Sequence, residues 1–212
     1  MILFDLDGTL IDSNGIWADV DRVFLARRGF AYTKEYRDGM AHMIFPLAAE
    51  FTRAFCGLEE SCEDIMAEWM DLARDSYARV ALKPHARALL ERLAARGERM
   101  ALFTSSVPVH CETALAVHDL APFFERVVYA SELGMNKSTP EAFRRAAALL
   151  GVAPEDCVLL DDSLRACRSA KEAGLRVIGV YDPVFADTDA EMRAVCDRFV
   201  RGLGELLPAD DL

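Results

Sequence analysis

The chain opens with MILFDLDGTLIDS, residues 1–13, and this stretch settles the fold class. Residues 2–6 form a short apolar run of the kind that makes a strand buried on both faces. Two carboxylates interrupt the run at its end, and Gly8 follows to permit a bend. In an open parallel sheet, ligands bind beyond the carboxyl ends of the strands, which is where Asp5 falls. Residues two apart on a strand share a face, so Asp5 and Asp7 converge on one ligand if the extended geometry continues to Gly8. Carboxylates so close call for a proton or a cation between them, and the motif therefore predicts a metal site, a general acid, or both. A helix–loop–helix calcium site fits poorly, because the later Glu of that pattern is missing and a strand precedes the motif. An ordinary turn held by Asx-type hydrogen bonds is the structural alternative.

Four further apolar runs repeat the theme at 100–104, 127–130, 157–161 and 176–181. Helical patterns separate them. Residues 84–96 have Pro84 early and Gly97 just past the end, and residues 139–150 begin with Thr139 as N-cap, Pro140 and Glu141 and close at Gly151. Residues 163–173, followed by Gly174, do the same. Strands alternating with helices predict an α/β fold: a Rossmann-like three-layer core whose parallel sheet is covered on both faces. The stretch 13–81 breaks the rhythm with helical periodicity alone, at 16–28, 45–55 and 61–80, the last opening on the capping box Ser61-Cys62-Glu63-Asp64. It is too long for a crossover loop, so the sequence predicts a core domain of 1–12 and 82–212 and an inserted all-helical domain of 13–81. A mobile cap over an active site and a purely structural subdomain are both open for it. The C-terminal GLGELLPADDL is expected to be ragged.

Of the 212 residues, 52% are hydrophobic and 28% charged, enough apolar material for a sizeable core, which excludes disordered and fibrous classes. The net charge of −11 removes the electrostatic footprint that nucleic acid or an anionic membrane requires, leaving small-molecule chemistry. The N-terminus has no basic region and Asp5 cuts its apolar run, so neither a signal peptide nor an anchor is expected and the location expected is cytoplasmic. Six scattered cysteines without a CxxC pair are expected to be reduced thiols packed as small hydrophobes. Without heptads or an evident apolar patch, a monomer is the default, and no protein partner is implied.

The motif DLDGTLIDS resembles the first motif of the haloacid dehalogenase (HAD) superfamily of phosphatases and phosphomutases. The later motifs of that family have counterparts in order. Thr104 ends the second strand run in ALFTSS; Lys137, Pro140 and Phe143 match in KSTPEAF; and Asp161-Asp162-Ser163 follows the run VLL, leading to AKEAG at 170–174. Ser138 stands where the family usually has Pro, a departure that touches loop rigidity more than chemistry. The resemblance covers nearly the whole chain, with the insertion where the family carries its helical cap.

The resemblance implies a nucleophile at Asp5 that forms an aspartyl-phosphate, and an acid at Asp7 that protonates the leaving oxygen and later takes a proton from water. It implies Mg²⁺ held by Asp5, a main-chain carbonyl at Asp7, and Asp161 with Asp162. Thr104 and the backbone N–H of Ser105 would hold phosphoryl oxygens, with Lys137 adding a point charge. The bland alternatives are an N-cap at Thr104, a surface lysine at Lys137, and helix caps at Asp161 and Asp162. The implied substrate is a small phosphorylated metabolite, a sugar phosphate or nucleotide-like monoester, with Asn14, Trp17 and His42 as candidate cap residues that read it.

Within the family, a true dehalogenase is disfavoured because Asp7 is present. The β-phosphoglucomutase branch is similar in size and cap placement, but its cap His near Trp17 and its Arg-bearing loop have no counterpart in DGMAHMIFPLAAEF. A phosphonoacetaldehyde hydrolase would need a cap lysine, and 13–81 offers only Lys34, beside Glu35. A phosphomutase therefore stands as the alternative enzyme, and a non-catalytic phosphate-ligand binding protein as the alternative from another class.

Overall fold

The computed structural model describes residues 1–40 and 45–208, which fall into two compact units: Met1–Asn14 with Val80–Leu212, and Gly15–Arg79. Asn14, expected in the helical domain, falls in the first unit. In chain order the described helices are α1 (Ile16–Arg27), α2 (Lys34–Met40), α3 (Phe45–Cys56), α4 (Cys62–Tyr77), α5 (Ala86–Ala95), α6 (Pro108–Val117), α7 (Pro140–Leu149), α8 (Leu164–Ala173) and α9 (Asp189–Val195). None is long and apolar enough to cross a membrane.

The first unit is a Rossmann-like α/β fold. Its strands β1 (Ile2–Phe4), β2 (Met100–Thr104), β3 (Arg126–Tyr129), β4 (Val158–Asp161), β5 (Arg176–Val180) and β6 (Arg198–Val200) form one parallel sheet in the order β3-β2-β1-β4-β5-β6. Ile2, Leu3 and Phe4 are all buried, as a strand covered on both faces requires. One face packs Leu3, Ala101, Phe103, Leu159 and Val177 against the small residues of α7 and α8, and Phe103 meets Phe143 edge-on at 5.2 Å. The glycines after α5, α7 and α8, Gly97, Gly151 and Gly174, all take positive φ, the left-handed ending that stops a helix and turns the chain back. The six cysteines are free and four are buried.

Several sequence expectations need correction. β1 ends at Phe4, shorter than the 2–6 run, ahead of the turn at residues 8–10; β6, α2, α6 and α9 were not anticipated. Thr139 occupies the N-cap of α7 but makes no capping hydrogen bond, its hydroxyl donating to Asn136 O at 3.3 Å instead. The C-terminal segment is not ragged throughout: Leu203 and Leu206 are buried in a short 3₁₀ turn.

The sheet order creates the site. From β1 the chain runs outward through β2 to β3, then returns to place β4 on the other side of β1, so the connections after β1 and β4 diverge and leave a crevice at their carboxyl ends. The Asp5 N–H donates to Leu160 O at 2.9 Å, which locks the end of β1 against β4.

The helical unit is organised around Trp69 of α4, which meets Phe24 of α1 edge-on at 5.6 Å. Ser61 caps α4 as the sequence predicts, its hydroxyl accepting from the Asp64 N–H at 3.1 Å. Arg28 stacks on Phe24 at 3.7 Å while pairing with Glu60 and Glu68, which ties the end of α1 to α4.

Candidate active site

The segments after β1, β2 and β4 and the turn before α7 meet at a cavity of about 220 Å³. Asp5, Asp7, Asn14, Ser105, Lys137, Asp161 and Asp162 line it together, so seven residues singled out from sequence share one surface. Thr104 is fully buried at the end of β2, with its hydroxyl accepting from the Ser106 N–H at 2.9 Å. That bond fixes the turn carrying Ser105 and Ser106. Trp17 belongs to the helical unit, and His42 lies outside the described residues.

Each acid is held in place by the chain around it. Asp7 Oδ1 accepts from the Ser13 hydroxyl at 2.6 Å. Asp161 Oδ1 accepts from the Ser163 N–H at 2.8 Å, and Ser163 in turn caps α8. Asp162 accepts from Asn14 Nδ2 at 2.7 Å and from the Thr9 hydroxyl at 3.4 Å. Asn14, expected in a cap, thus serves as a brace for a core carboxylate. Gly8 takes a left-handed φ of +81°, and a Cβ there would fall 2.1 Å from Asp162 Oδ2, so the DxDG turn admits only glycine at this point.

Lys137 is buried and donates to Asp5 Oδ1 at 2.6 Å and to Phe103 O at 3.0 Å. Its Nζ also lies 2.6 Å from Asp161 Oδ2 as an ion-pair contact. The turn that presents it is built by Asn136, whose Oδ1 accepts the Ser138 N–H at 3.0 Å. Proline at 138 would lack that N–H, so the departure from the family pattern exchanges ring rigidity for an Asx-type hydrogen bond.

Four carboxylates face Lys137, the one cation among the described residues lining the cavity. Burial pushes the Asp5 carboxyl well above its ordinary value; Lys137 opposes the shift, while Asp161, Asp162 and Asp7 add to it. Burial and the neighbouring Asp161 raise Asp162 to about 7 against the bond from Asn14. For Lys137, burial favours loss of its proton, but Asp161 and Asp5 outweigh it and hold the ammonium charged. Each shift says that the cluster is short of positive charge.

Asp5, Asp161 and Asp162 are buried and offer carboxylate oxygens that lie within 4.8 Å of one another. Asp161 Oδ2 is buried, with the Lys137 ammonium as its ion-pair partner. An oxygen-only, net-negative donor set fits a hard divalent cation. The Asp7 side chain is not among the three that form this group.

Sequence reasoning missed Ser106 and Phe185 in the lining, and Thr9 and Ser13 as braces. Thr9 and Ser13 were within reach, since both lie in the opening motif. Phe185 had no signal: it follows β5 in a short 3₁₀ segment.

Residues 2–180 match the haloacid dehalogenase-like hydrolase family. Hexitol phosphatase A of Escherichia coli (strain K12) is 34% identical over 206 residues, spanning 88% of this chain and 84% of that protein. The bifunctional riboflavin kinase/FMN phosphatase of Arabidopsis thaliana is 27% identical over 182 residues, 84% of this chain but 48% of that one, so the chain spans about half its length. A solved structure of a HAD family hydrolase from Deinococcus radiodurans R1, with bound phosphate and sodium, aligns with a TM-score of 0.76 at 26% identity, covering 97% of this chain and 92% of that one. The family match takes in every cavity-lining residue except Phe185, and the 34% identity runs along most of both chains: the chain belongs to the haloacid dehalogenase-like hydrolase family.

Proposed function

We propose that this hydrolase is a Mg²⁺-dependent phosphatase that cleaves a small phosphorylated metabolite through an aspartyl-phosphate on Asp5. The observation that carries the reading is the buried pair of Asp5 and Lys137, 2.6 Å apart, with Asp7 lining the same cavity. A phosphate ester is a dianion, and moving its phosphoryl group is mostly a matter of positioning and of neutralising its oxygens. Asp5 attacks phosphorus and the ester oxygen departs, which splits one difficult displacement into two easier ones. Asp7, steadied by Ser13, gives a proton to the leaving oxygen and then accepts one from the water that cleaves the acyl-phosphate. Lys137 remains charged between Asp5 and Asp161, where it supports the ionised nucleophile and the incoming phosphoryl group. The turn fixed by Thr104 offers the N–H group of Ser105 to phosphoryl oxygens.

Asp5, Asp161 and Asp162 would hold Mg²⁺, with the Asp7 main chain as the further ligand the family resemblance supplies. When bound, the ion neutralises the surplus carboxylate charge and the phosphoryl oxygens. Hexitol phosphatase A, by its name, acts on a phosphorylated hexitol, and a sugar phosphate or nucleotide-like monoester is the substrate class proposed here. The helical unit would act as the cap. A cytoplasmic, monomeric enzyme is the accompanying expectation.

The test is release of p-nitrophenol from p-nitrophenyl phosphate with Mg²⁺, with EDTA, and with Asp5→Asn. Metal-dependent release that disappears in the variant, with its circular dichroism unchanged, supports the assignment. Activity surviving both EDTA and the substitution refutes it, and conversion of a hexose 1-phosphate to a hexose 6-phosphate without free phosphate would select the mutase instead.

A further inference from the structure

Two of the cysteines meet behind the acidic cluster. Cys167 lies on the buried face of α8, and its thiol donates to Asp161 O at 3.6 Å. Cys196 is the C-cap residue of α9 and is only half-buried. An added Cβ at Gly179 would fall 2.8 Å from Cys196 Sγ, 2.9 Å from Met192 Cε and 3.0 Å from Phe199 Cδ2, so glycine at 179 is what admits the Cys196 thiol against β5. Asp161 and Gly179 are register partners on β4 and β5. One sulfur therefore sits on each member of a cross-strand pair, and both pack into the same apolar cluster under α8. The two thiols share a hydrogen bond.

The pair is asymmetric. Cys167 is sealed in the core, whereas Cys196 reaches solvent. The hydrogen bond from Cys167 also holds the Cys196 thiol below its ordinary value, against the opposing effect of burial. The thiolate is the reactive form of cysteine, so the member that solvent reaches is the better nucleophile. The phosphatase reading uses neither sulfur.

We propose that Cys196 and Cys167 are a hydroperoxide-sensitive pair that closes to an intramolecular disulfide and thereby disturbs the carboxylate cluster. The Cys196 thiolate attacks one oxygen of a hydroperoxide, ROOH. The O–O bond breaks, the sulfur is oxidised to the sulfenic acid Cys196–S–OH, and RO⁻ leaves and takes up a proton as ROH. The Cys167 sulfur then attacks Cys196 Sγ, and the displaced hydroxyl carries off the Cys167 proton as water. In sum, two thiols and one hydroperoxide give a disulfide, an alcohol and water. Closure removes the S–H that Cys167 donates to Asp161 O. Bonded sulfurs lie about 2.0 Å apart, closer than hydrogen-bonded ones, so α8 is drawn toward Cys196. Ser163 caps α8 and holds Asp161 Oδ1 through its N–H, which carries the pull to the carboxylates. The pairing stands apart from the phosphatase reading; only its effect on turnover rests on that reading.

The full chain is treated with hydrogen peroxide, blocked with iodoacetamide and digested with trypsin, with a dithiothreitol-treated sample beside it. Cleavage after Arg165, Arg168, Arg193 and Arg198 puts each sulfur in its own peptide, 166–168 and 194–198. These two peptides should appear linked, two hydrogens lighter than their reduced sum, and the thiols that react in denaturant should fall from six to four. Turnover of p-nitrophenyl phosphate should drop about tenfold or more and return with dithiothreitol, since misplacing a reacting group by about 1 Å can cost about 10²-fold. Cys196→Ser should match the rate of the reduced chain and show neither the link nor the drop. Six thiols that persist, a link to a different cysteine, or a disulfide-joined dimer on a non-reducing gel overturns the pair, and none of these results needs a variant. A linked pair with turnover unchanged, or a drop that survives in Cys196→Ser, overturns the coupling to the carboxylates. A reduced chain without turnover counts against the phosphatase reading instead, and the linked peptide still decides the pair.

Discussion

Gly8→Ala tests the construction of the acidic turn more sharply than replacing any acid. Gly8 has φ +81°, and an added Cβ would lie 2.1 Å from Asp162 Oδ2, 2.7 Å from its Cγ and 2.2 Å from Asn14 Nδ2. Real Cβ atoms essentially never approach closer than 3.0 Å, so Asp162 and Asn14 must each retreat by a sizeable fraction of an ångström. The left-handed backbone alone costs about 1–2 kcal/mol for a residue with a Cβ. Crowding into a packed site adds about 1–3 kcal/mol. The sum, about 2–5 kcal/mol, corresponds to a fall in Tm of roughly 5–20 °C for a chain of this length. Misplacing a reacting group by about 1 Å can cost about 10²-fold in rate, so the surviving folded fraction should lose most of its phosphatase activity. Gly97→Ala supplies the control, because Gly97 has φ +74° in the same unit but nothing within 4 Å of its would-be Cβ. It should incur only the backbone cost and leave activity intact. Melting curves by circular dichroism and rates on p-nitrophenyl phosphate measure both. Equal losses of Tm in the two variants, with activity retained in Gly8→Ala, would refute the claim that Gly8 exists to admit the Asp162 carboxylate.

Three further outcomes are expected. Lys137→Met removes the cation that faces Asp5 and Asp161, and should abolish turnover and destabilise the fold by about 3–5 kcal/mol at neutral pH. Because the carboxyls can escape by taking up protons, with folded values raised above unfolded ones, the loss should shrink as pH falls, as urea unfolding at two pH values would show. Mg²⁺ should raise Tm in a thermal-shift assay, by an amount equivalent to about 2.7 kcal/mol at a hundredfold excess over Kd. The effect should grow between about pH 5 and about pH 8, since protons held by Asp5 and by Asp162, at about 7, compete with the ion. Asp21→Asn should leave stability unchanged below about pH 4 and raise it above about pH 7, by up to about 4 kcal/mol. The sign follows from a folded carboxyl at about 7 against an ordinary value of 3.8, so the wild type loses stability as pH rises through that window, and a variant no more stable at high pH would contradict it.

What the sequence made legible, and what it hid, follows from how far each feature depends on its neighbours. β1, β2, β4 and β5 could be read because a strand buried on both faces must be continuously apolar, and the ends of β1 and β4 could be read because an acid closing such a run has few other uses. β6 is three residues long and is a strand only because β5 is beside it; no window of its own sequence says so. α2, KEYRDGM, carries too little apolar periodicity in seven residues to be recognised before Tyr36 is seen buried against Thr52. Lys137 could be placed only through the family resemblance, since it rides on a turn whose approach to Asp5 is fixed by Asn136 below it and Phe103 O above it. Asn14 was assigned to the wrong unit because helical periodicity begins near it, whereas its position is decided by a hydrogen bond to Asp162, far along the chain. The same contact explains why the acids cannot be understood singly. Asp5 is tied to β4 by its N–H, Asp162 to the opening motif by Thr9 and Asn14, and Asp161 to Lys137, so the connections after β1 and β4 hold each other in register across the crevice that the strand order opens. A change at any one of these braces should therefore move the whole carboxylate cluster, and the site behaves as a unit because the switch in strand order puts its two halves side by side.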